Sequence, residues 1–434
     1  MTKSLRALFA ILLGYATLVL ANGLFNTLLG LRSQHEGFAP ELVGLIMSAF
    51  FAGLLLGGRF GSRVVARVGH IRAFAAFASL YSATALLHPL WVSPPAWMGF
   101  RLLAGFCMAG MVMVTESWVN ARVGKGERGQ VLSLYLTLNY AAGGCGAFLL
   151  GLGDPAEYQL FSLASVLVSL ALLPVLLTRS PAPLPDSGPR LGLLALWRIA
   201  PLGLCGVLAA GLVNATFIGL SPVFATGIGM DKAGISLFIG LTLFGGLALQ
   251  WPLGRASDRH GRGLLIALAS GGTVLAALAM FAVASLRPSW VLFVAVPYGA
   301  FAYTLYSLSG ALINDRADPD QRVAVAGGLV VVFGAGASVG PLLGGLVMGA
   351  VGPRGLYLFT GGVALALCLF AVWRLVQLGL APRRSSFVAI PSSQFGSETL
   401  YVAAQREADA QRETDAQREA TPPGEAGRGE SREG

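Results

Sequence analysis

The chain has 434 residues, 55% of them hydrophobic and only 12% charged, with a mean hydropathy of +0.69. Soluble domains run about 25% charged; so few charges cannot clothe a water-facing surface, and a soluble globular enzyme is excluded. The net charge of +9 does not point to nucleic acid: residues 1–380 hold 23 Lys+Arg against 12 Asp+Glu, residues 381–434 hold 7 against 9, and the excess sits in short loops between apolar runs, as in a membrane protein.

A bilayer core of about 30 Å takes about 20 apolar residues per helix. Twelve such runs are predicted, at 5–31, 41–66, 73–92, 97–120, 130–152, 158–177, 198–226, 233–254, 263–286, 290–313, 323–350 and 355–378. The first lacks a small-residue cleavage site and is followed by eleven more, so it reads as a span and not as a removable signal peptide. With the N-terminus inside, the inner segments carry 17 Lys+Arg and the outer loops four (Arg32, Lys232, Arg287 and Arg354). Both termini are therefore expected in the cytoplasm. Residues 178–196, with four prolines, read as a semi-extended connector between six-helix bundles at 1–177 and 197–378. Asn120, Arg122 and Arg128 recur as Asn314, Arg316 and Arg322 at a constant offset, which suggests parallel repeats.

In span one, Asn22 and Asn26 lie four apart on one helical face, as do Tyr135 and Asn139 in span five. Asn214 marks span seven, Gln250 span eight, and Tyr303 with Tyr306 span ten. Amide and phenol groups in lipid need partners and so point inward. Singly each reads as interhelical packing or as a substrate ligand. As a set they outline a mostly neutral central cavity.

Span four carries the two ionisable groups at depth, Arg101 and Glu116. They are about 22 Å apart at 1.5 Å per residue, too far to pair, although one broad helix face can present both. Arg101 reads either as a contact for substrate or coupling, or as an arginine snorkelling to the nearby outer boundary. Glu116, near the inner end, is expected to form a gating ion pair with the basic loops of Arg67 and Arg128, or else to carry a proton or to stand as a satisfied polar group.

Between spans eight and nine stands Gly254-Arg-Ala-Ser-Asp258-Arg259-His-Gly261-Arg262. Gly261 permits a tight reversal. Arg259 and Arg262 are expected to hold the headgroup layer, with Asp258 as a countercharge to a neighbouring helix terminus. The loop resembles the signature of the major facilitator superfamily. The equivalent first-half loop, Arg67-Val-Gly69-His70, departs from it: Ser62 and Ala66 replace the first Gly and the Asp, so any gate using that acid is asymmetric here. Span eleven contains Gly336, Gly340, Pro341 and Gly344, which resemble the glycine-proline motif of facilitator antiporters. That motif belongs in span five, so here it is read as a bending helix, or equally as tight helix packing, and not as a sign of antiport. Arg101-Leu-Leu-Ala-Gly105 is similar to the Arg-x-x-x-Gly element of facilitator span four, which the resemblance associates with proton coupling.

Leu24-Phe-Asn26-Thr-Leu, Thr115-Glu116-Ser-Trp, Arg128-Gly129-Gln-Val-Leu-Ser-Leu-Tyr135 and Gln250-Trp251-Pro252-Leu-Gly254-Arg are similar to the bacterial YcaD-type branch of that superfamily. The resemblance implies an all-α membrane protein with the major facilitator fold, resident in the bacterial inner membrane. It implies a secondary transporter of a small organic solute, working by alternating access. Proton coupling is expected with uniport left open, the direction of transport is not fixed, and a polyspecific exporter is the alternative within the fold. The four cysteines and four histidines have neither paired nor metal-ligand spacing; the cysteines lie in apolar runs and the histidines at loops or span ends, so no metal or other cofactor is expected. A monomer is expected. Residues 379–434, including the AQREAD-AQRETD-AQREAT repeat, read as a disordered tail; a transport-silent scaffold acting through that tail is the reading from a different class.

Overall fold

The computed structural model describes residues 3–123, 128–176, 192–318 and 321–378. The tail and most of the proline-rich connector lie outside the described residues, as do the side chains of Arg122, Arg128 and Arg322. In chain order the helices are α1 (Lys3–His35), α2 (Pro40–Val68), α3 (His70–Leu90), α4 (Pro94–Arg122), α5 (Arg128–Phe148), α6 (Gln159–Leu176), α7 (Leu193–Ile199), α8 (Pro201–Gly227), α9 (Lys232–His260), α10 (Arg262–Leu286), α11 (Val291–Arg316), α12 (Arg322–Val351) and α13 (Gly355–Leu378). Among the described residues there is no strand.

Among the described residues, eleven helices are long and apolar enough to cross a membrane. The remaining predicted run, 130–152, corresponds to α5, whose Gln130, Tyr135, Asn139 and Tyr140 dilute its hydropathy; it nonetheless packs between α1 and α9 like the others. Helix α7 was not expected: the apolar Leu193–Ile199 turns up before the chain breaks at Ala200 and restarts with Pro201 in the first turn of α8.

Helix starts follow local chemistry. Pro40, Pro94 and Pro201 occupy first turns, where a missing N–H costs nothing. The Asp231 side chain caps α9 by accepting from Gly234 N at 2.9 Å. Gly69 and Gly261 separate α2 from α3 and α9 from α10 with φ of +86° and +92°, a region that side chains with a Cβ rarely enter. The two hairpins thus match in backbone as well as in sequence position. Large apolar side chains, among them Leu275, Phe293 and Val376, are exposed around the bundle, the inverse of a water-soluble surface and the expected finish for a lipid-facing one.

Helices α1–α6 pack chiefly with one another, as do α8–α13. The two groups meet along α2 with α12, α5 with α9, and α1 and α2 with α8. We call the two ends of the bundle, after the turns they carry, the Gly37 end and the Gly69 end.

Candidate functional site

Between the two groups lies a cavity with some 650 Å³ of free space, part of it continuous with solvent. Its first wall comes from α1 and α5 (Asn22, Asn26, Asn139 and Tyr140), its second from α8, α9 and α11 (Asn214, Ile218, Ile239, Leu243 and Tyr303). Five of the eight sequence-predicted cavity residues therefore share one space. Tyr135, Gln250 and Tyr306 do not line it. Gln250 is buried and donates to Ser307 Oγ at 2.9 Å, and the Tyr306 ring sits edge-on to Phe333; both hold α11 to its neighbours.

Behind the first wall, each asparagine oxygen is taken by a donor. Tyr81 Oη donates to Asn22 Oδ1 at 2.9 Å, Arg101 Nη2 to Asn26 Oδ1 at 2.7 Å, and Tyr15 Oη to Asn139 Oδ1 at 2.9 Å. Arg101 is 1% exposed, which overturns the snorkelling alternative: the guanidinium points inward. It stands 4.0 Å from the Phe50 ring centroid and 5.7 Å from that of Phe25, with Met47 Sδ at 3.7 Å. Its Nε and Nη1 have no hydrogen-bond partner. Gly105 explains the motif's second half. A Cβ there would lie 2.0 Å from the Phe50 carbonyl oxygen, so only glycine lets α4 come close enough to α2 to set Arg101 over Phe50.

Tyr135 belongs to a different structure. It stacks on Tyr15 with centroids 4.2 Å apart and an interplanar angle of 16°, and donates to Glu116 Oε1 at 3.1 Å. A run of polar side chains therefore leads from Asn139 in the cavity through Tyr15 and Tyr135 to Glu116. Arg67 is exposed, and the Arg128 side chain lies outside the described residues.

On the second wall, Asn214 is 1% exposed and neither its Oδ1 nor its Nδ2 has a hydrogen-bond partner. Tyr303 Oη is likewise without one, while its ring meets that of Tyr140 edge-on across the cavity, centroids 5.7 Å apart.

At the Gly69 end, Arg262 departs from its expected place in the headgroups. It is 5% exposed, with Nε 2.7 Å from Asp315 Oδ2, Nη2 3.1 Å from Asp258 Oδ1 and Nη1 donating to Ser257 Oγ at 2.8 Å. Two carboxylates within reach draw the guanidinium inward. Asp258 thus serves a side chain and not a helix terminus, whereas Arg259 is exposed as expected. In the first half, His70 takes the matching position, buried, with Nε2 3.1 Å from Ser117 Oγ. His88 is buried too, so two of the four histidines are core groups and not interfacial ones.

The halves are joined at the Gly37 end. Gln34 Nε2 donates to the Val223 carbonyl at 3.0 Å, Ser236 Oγ to that of Ala147 at 2.8 Å, and Leu342 N to Ser48 Oγ at 3.0 Å. At the rim Lys232 Nζ stands 3.7 Å from Asp154 Oδ1. The Asp154 carboxyl is held below its usual range, chiefly by the hydrogen bond from Ala156 N–H and further by the Lys232 charge. Gly336, Gly340 and Gly344 face α8: a Cβ at Gly340 would fall 2.5 Å from the Leu212 carbonyl oxygen. They are close-packing positions in this conformation, and Pro341 lies where α12 crosses Gly44 of α2.

The sequence profile described as Major Facilitator Superfamily matches residues 11–303 and 202–396. The chain belongs to the major facilitator superfamily. Its relatives include an uncharacterized MFS-type transporter of Yersinia enterocolitica, 27% identical over 365 residues that cover 83% of this chain and 94% of the relative. The uncharacterized MFS-type transporter YcaD of Escherichia fergusonii is 26% identical over 79% of this chain and 89% of its own. Among solved structures, the nucleoside transporter NupG superposes with a TM-score of 0.70 at 14% identity, covering 85% of this chain and 98% of that one. A bacterial homologue of the human lysosomal transporter Spinster, inward-facing and occupied, gives 0.68 at 15%, covering 88% and 98%.

This facilitator is thus a multi-pass bacterial membrane transporter, of a family that takes small-molecule substrates and is not an enzyme class. Sequence reasoning missed Tyr15, Tyr81, Tyr140 and Asp315. Tyr15 was within reach, because residues 15, 22 and 26 fall on one helical face at spacings of seven and four. Tyr81 and Asp315 become visible only when α3 meets α1 and α11 meets α10.

Proposed function

We propose that this facilitator carries a small organic solute through the cavity by alternating access, driven by protons. The observation that carries the reading is the cavity itself: polar groups of both halves face one space, and hydrogen bonds join the halves at the Gly37 end. Rocking the halves about that space would break these contacts and open the cavity there. Pro341 and the glycines of α12 sit where such a motion needs a compliant helix.

The Gly69 end carries Arg59, Arg63, Arg67, Arg72, Arg255 and Arg259. By the positive-inside rule it faces the cytoplasm, with both termini there, and the chain works as a monomer in the inner membrane. Helices 1–177 and 197–378 act as the two moving bodies. Glu116 is the proton carrier, linked to the cavity through Tyr135, Tyr15 and Asn139. A proton on Glu116 abolishes the charge that Tyr135 donates to, loosening the stack that supports Asn139. Asp258 and Arg262 hold α9, α10 and α11 together as one body during the motion.

The test is flux in proteoliposomes with an imposed pH gradient, following both labelled solute and internal pH for sugars, organic acids, amino acids and cationic amphiphiles. Solute-dependent proton movement that Glu116→Gln abolishes is the expected result. Solute flux indifferent to the gradient would remove the proton from the scheme; amphiphile flux alone would favour a polyspecific exporter.

A further inference from the structure

Three asparagines dominate the first wall, and their hydrogen bonds are not symmetric. A carboxamide has one acceptor end and one donor end. At Asn26 the acceptor end is fixed by Arg101, because a guanidinium can only donate. At Asn22 and Asn139 the oxygens are held by Tyr81 and Tyr15. The N–H₂ ends of all three are left for the cavity they line. This wall therefore offers donors, and behind it stands a buried cation with two nitrogens unbonded. Among the described residues no acidic side chain lines the cavity, and Glu116 is about 22 Å from Arg101 along α4, taking 1.5 Å per residue.

A buried charge without a counterion is costly unless something supplies the opposite charge. The opposite wall has a different character. Asn214 keeps both a donor and an acceptor unused, and Tyr303 keeps its hydroxyl, beside the aliphatic Ile218, Ile239 and Leu243.

We infer that the cavity selects an organic anion: its carboxylate or other acceptor-rich group lies on the Asn22–Asn26–Asn139 wall under the field of Arg101, and its neutral polar group meets Asn214 and Tyr303. The inference rests on the transport reading and narrows its substrate class. It goes beyond the expectation of a mostly neutral cavity: the lining side chains are neutral, but their neutrality does not make the potential neutral. The Arg101 charge reaches the cavity through a polarised amide, in surroundings where little solvent screens it.

The experiment needs no knowledge of the natural solute. Ile218→Cys, on the wall facing the asparagines, is placed in full-length protein whose native cysteines are replaced by alanine or serine. Its rates are measured in detergent with sulfonatoethyl and trimethylammonioethyl methanethiosulfonate, each normalised to a small free thiol. Cavity potentials of several kT should favour the anionic reagent by roughly tenfold or more. Asn26→Asp, which sets a carboxylate against Arg101, should cancel that preference while raising the melting temperature, so that loss of selectivity is not loss of fold. In the same background, mandelate should protect the cysteine better than mandelamide, and 2-amino-1-phenylethanol should not protect it. Equal rates for the two reagents, a cationic preference, or a selectivity unmoved by Asn26→Asp would overturn the inference. A cysteine that neither reagent reaches would overturn it as well, because the wall would then face no solute. Charge selectivity is read here without flux, so anion selection can fail while transport stands, and a transport-silent protein can still show it.

Discussion

Arg101 Nη2 lies 2.7 Å from Asn26 Oδ1, and that contact links the charge inside α4 to the surface of the cavity. Among the described residues, Asn26 Oδ1 is the one oxygen hydrogen-bonded to this guanidinium; the remaining contacts are two aromatic faces and a thioether sulfur. The asparagine thus does two jobs, holding the cation and lining the cavity.

It follows that the two asparagines of α1 are unequal. Hydrogen bonds to charged groups contribute about 1.5–3 kcal/mol and neutral ones about 0.5–1.5 kcal/mol. Asn26→Ala should therefore destabilise the protein more than Asn22→Ala, whose lost partner is only the Tyr81 hydroxyl. Unfolding of the two variants in detergent checks the order. Equal losses would mean that Arg101 is held by something other than Asn26.

Much of this architecture was legible in the chain. Apolar runs of membrane length located the helices, since a lipid-facing helix has few ways to be anything else, and Gly69 and Gly261 announced the matching hairpins. The polar residues of the cavity were also visible, because Asn22, Asn26, Asn139, Asn214 and Tyr303 are out of place in lipid. What the sequence does not carry is which polar groups satisfy one another. Gln250 reads in the sequence as packing or as a ligand, and only the structure gives its partner, Ser307; Arg262 looked like a headgroup anchor and instead turns toward Asp315. These pairings depend on how neighbouring helices are rotated, and periodicity within one helix does not report that.

The Arg262 cluster gives the largest expected stability effect. Breaking a buried ion pair by removing one partner costs about 3–5 kcal/mol, and here Arg262→Met would leave Asp258 and Asp315 close together without their shared cation. Arg259→Met, one helix end away but exposed, should change stability by less than about 0.5 kcal/mol. Paired melts of the two variants decide the matter. A mild Arg262→Met would mean that the two carboxylates are hydrated in the folded protein.

Gly105→Ala tests the packing that sets Arg101 over Phe50. The added methyl would meet a backbone carbonyl at 2.0 Å, and backbone cannot step aside as a side chain does. Overpacking of this kind costs about 1–3 kcal/mol and sometimes more. The loss should be accompanied by weaker anionic preference at Ile218→Cys, since Arg101 moves with α4. Loss of stability with unchanged preference would show that the α2–α4 approach does not position the guanidinium.

The rim pair Lys232–Asp154 supplies a prediction in pH and salt. Both side chains are largely exposed, 48% and 61%, so their attraction is screened and small. Because the folded Asp154 carboxyl titrates below its ordinary range, its contribution is fully present above the unfolded value, near about pH 4, and is lost as the pH falls through the lowered one. From neutral pH to mild acid the separation of spin labels placed across the Gly37 end should not change on this account. Asp154→Asn should widen the label distance distribution slightly at low ionic strength, and added salt should erase the difference between variant and parent. A widening that persists in salt would instead place the effect in the turn that Asp154 forms with Ala156.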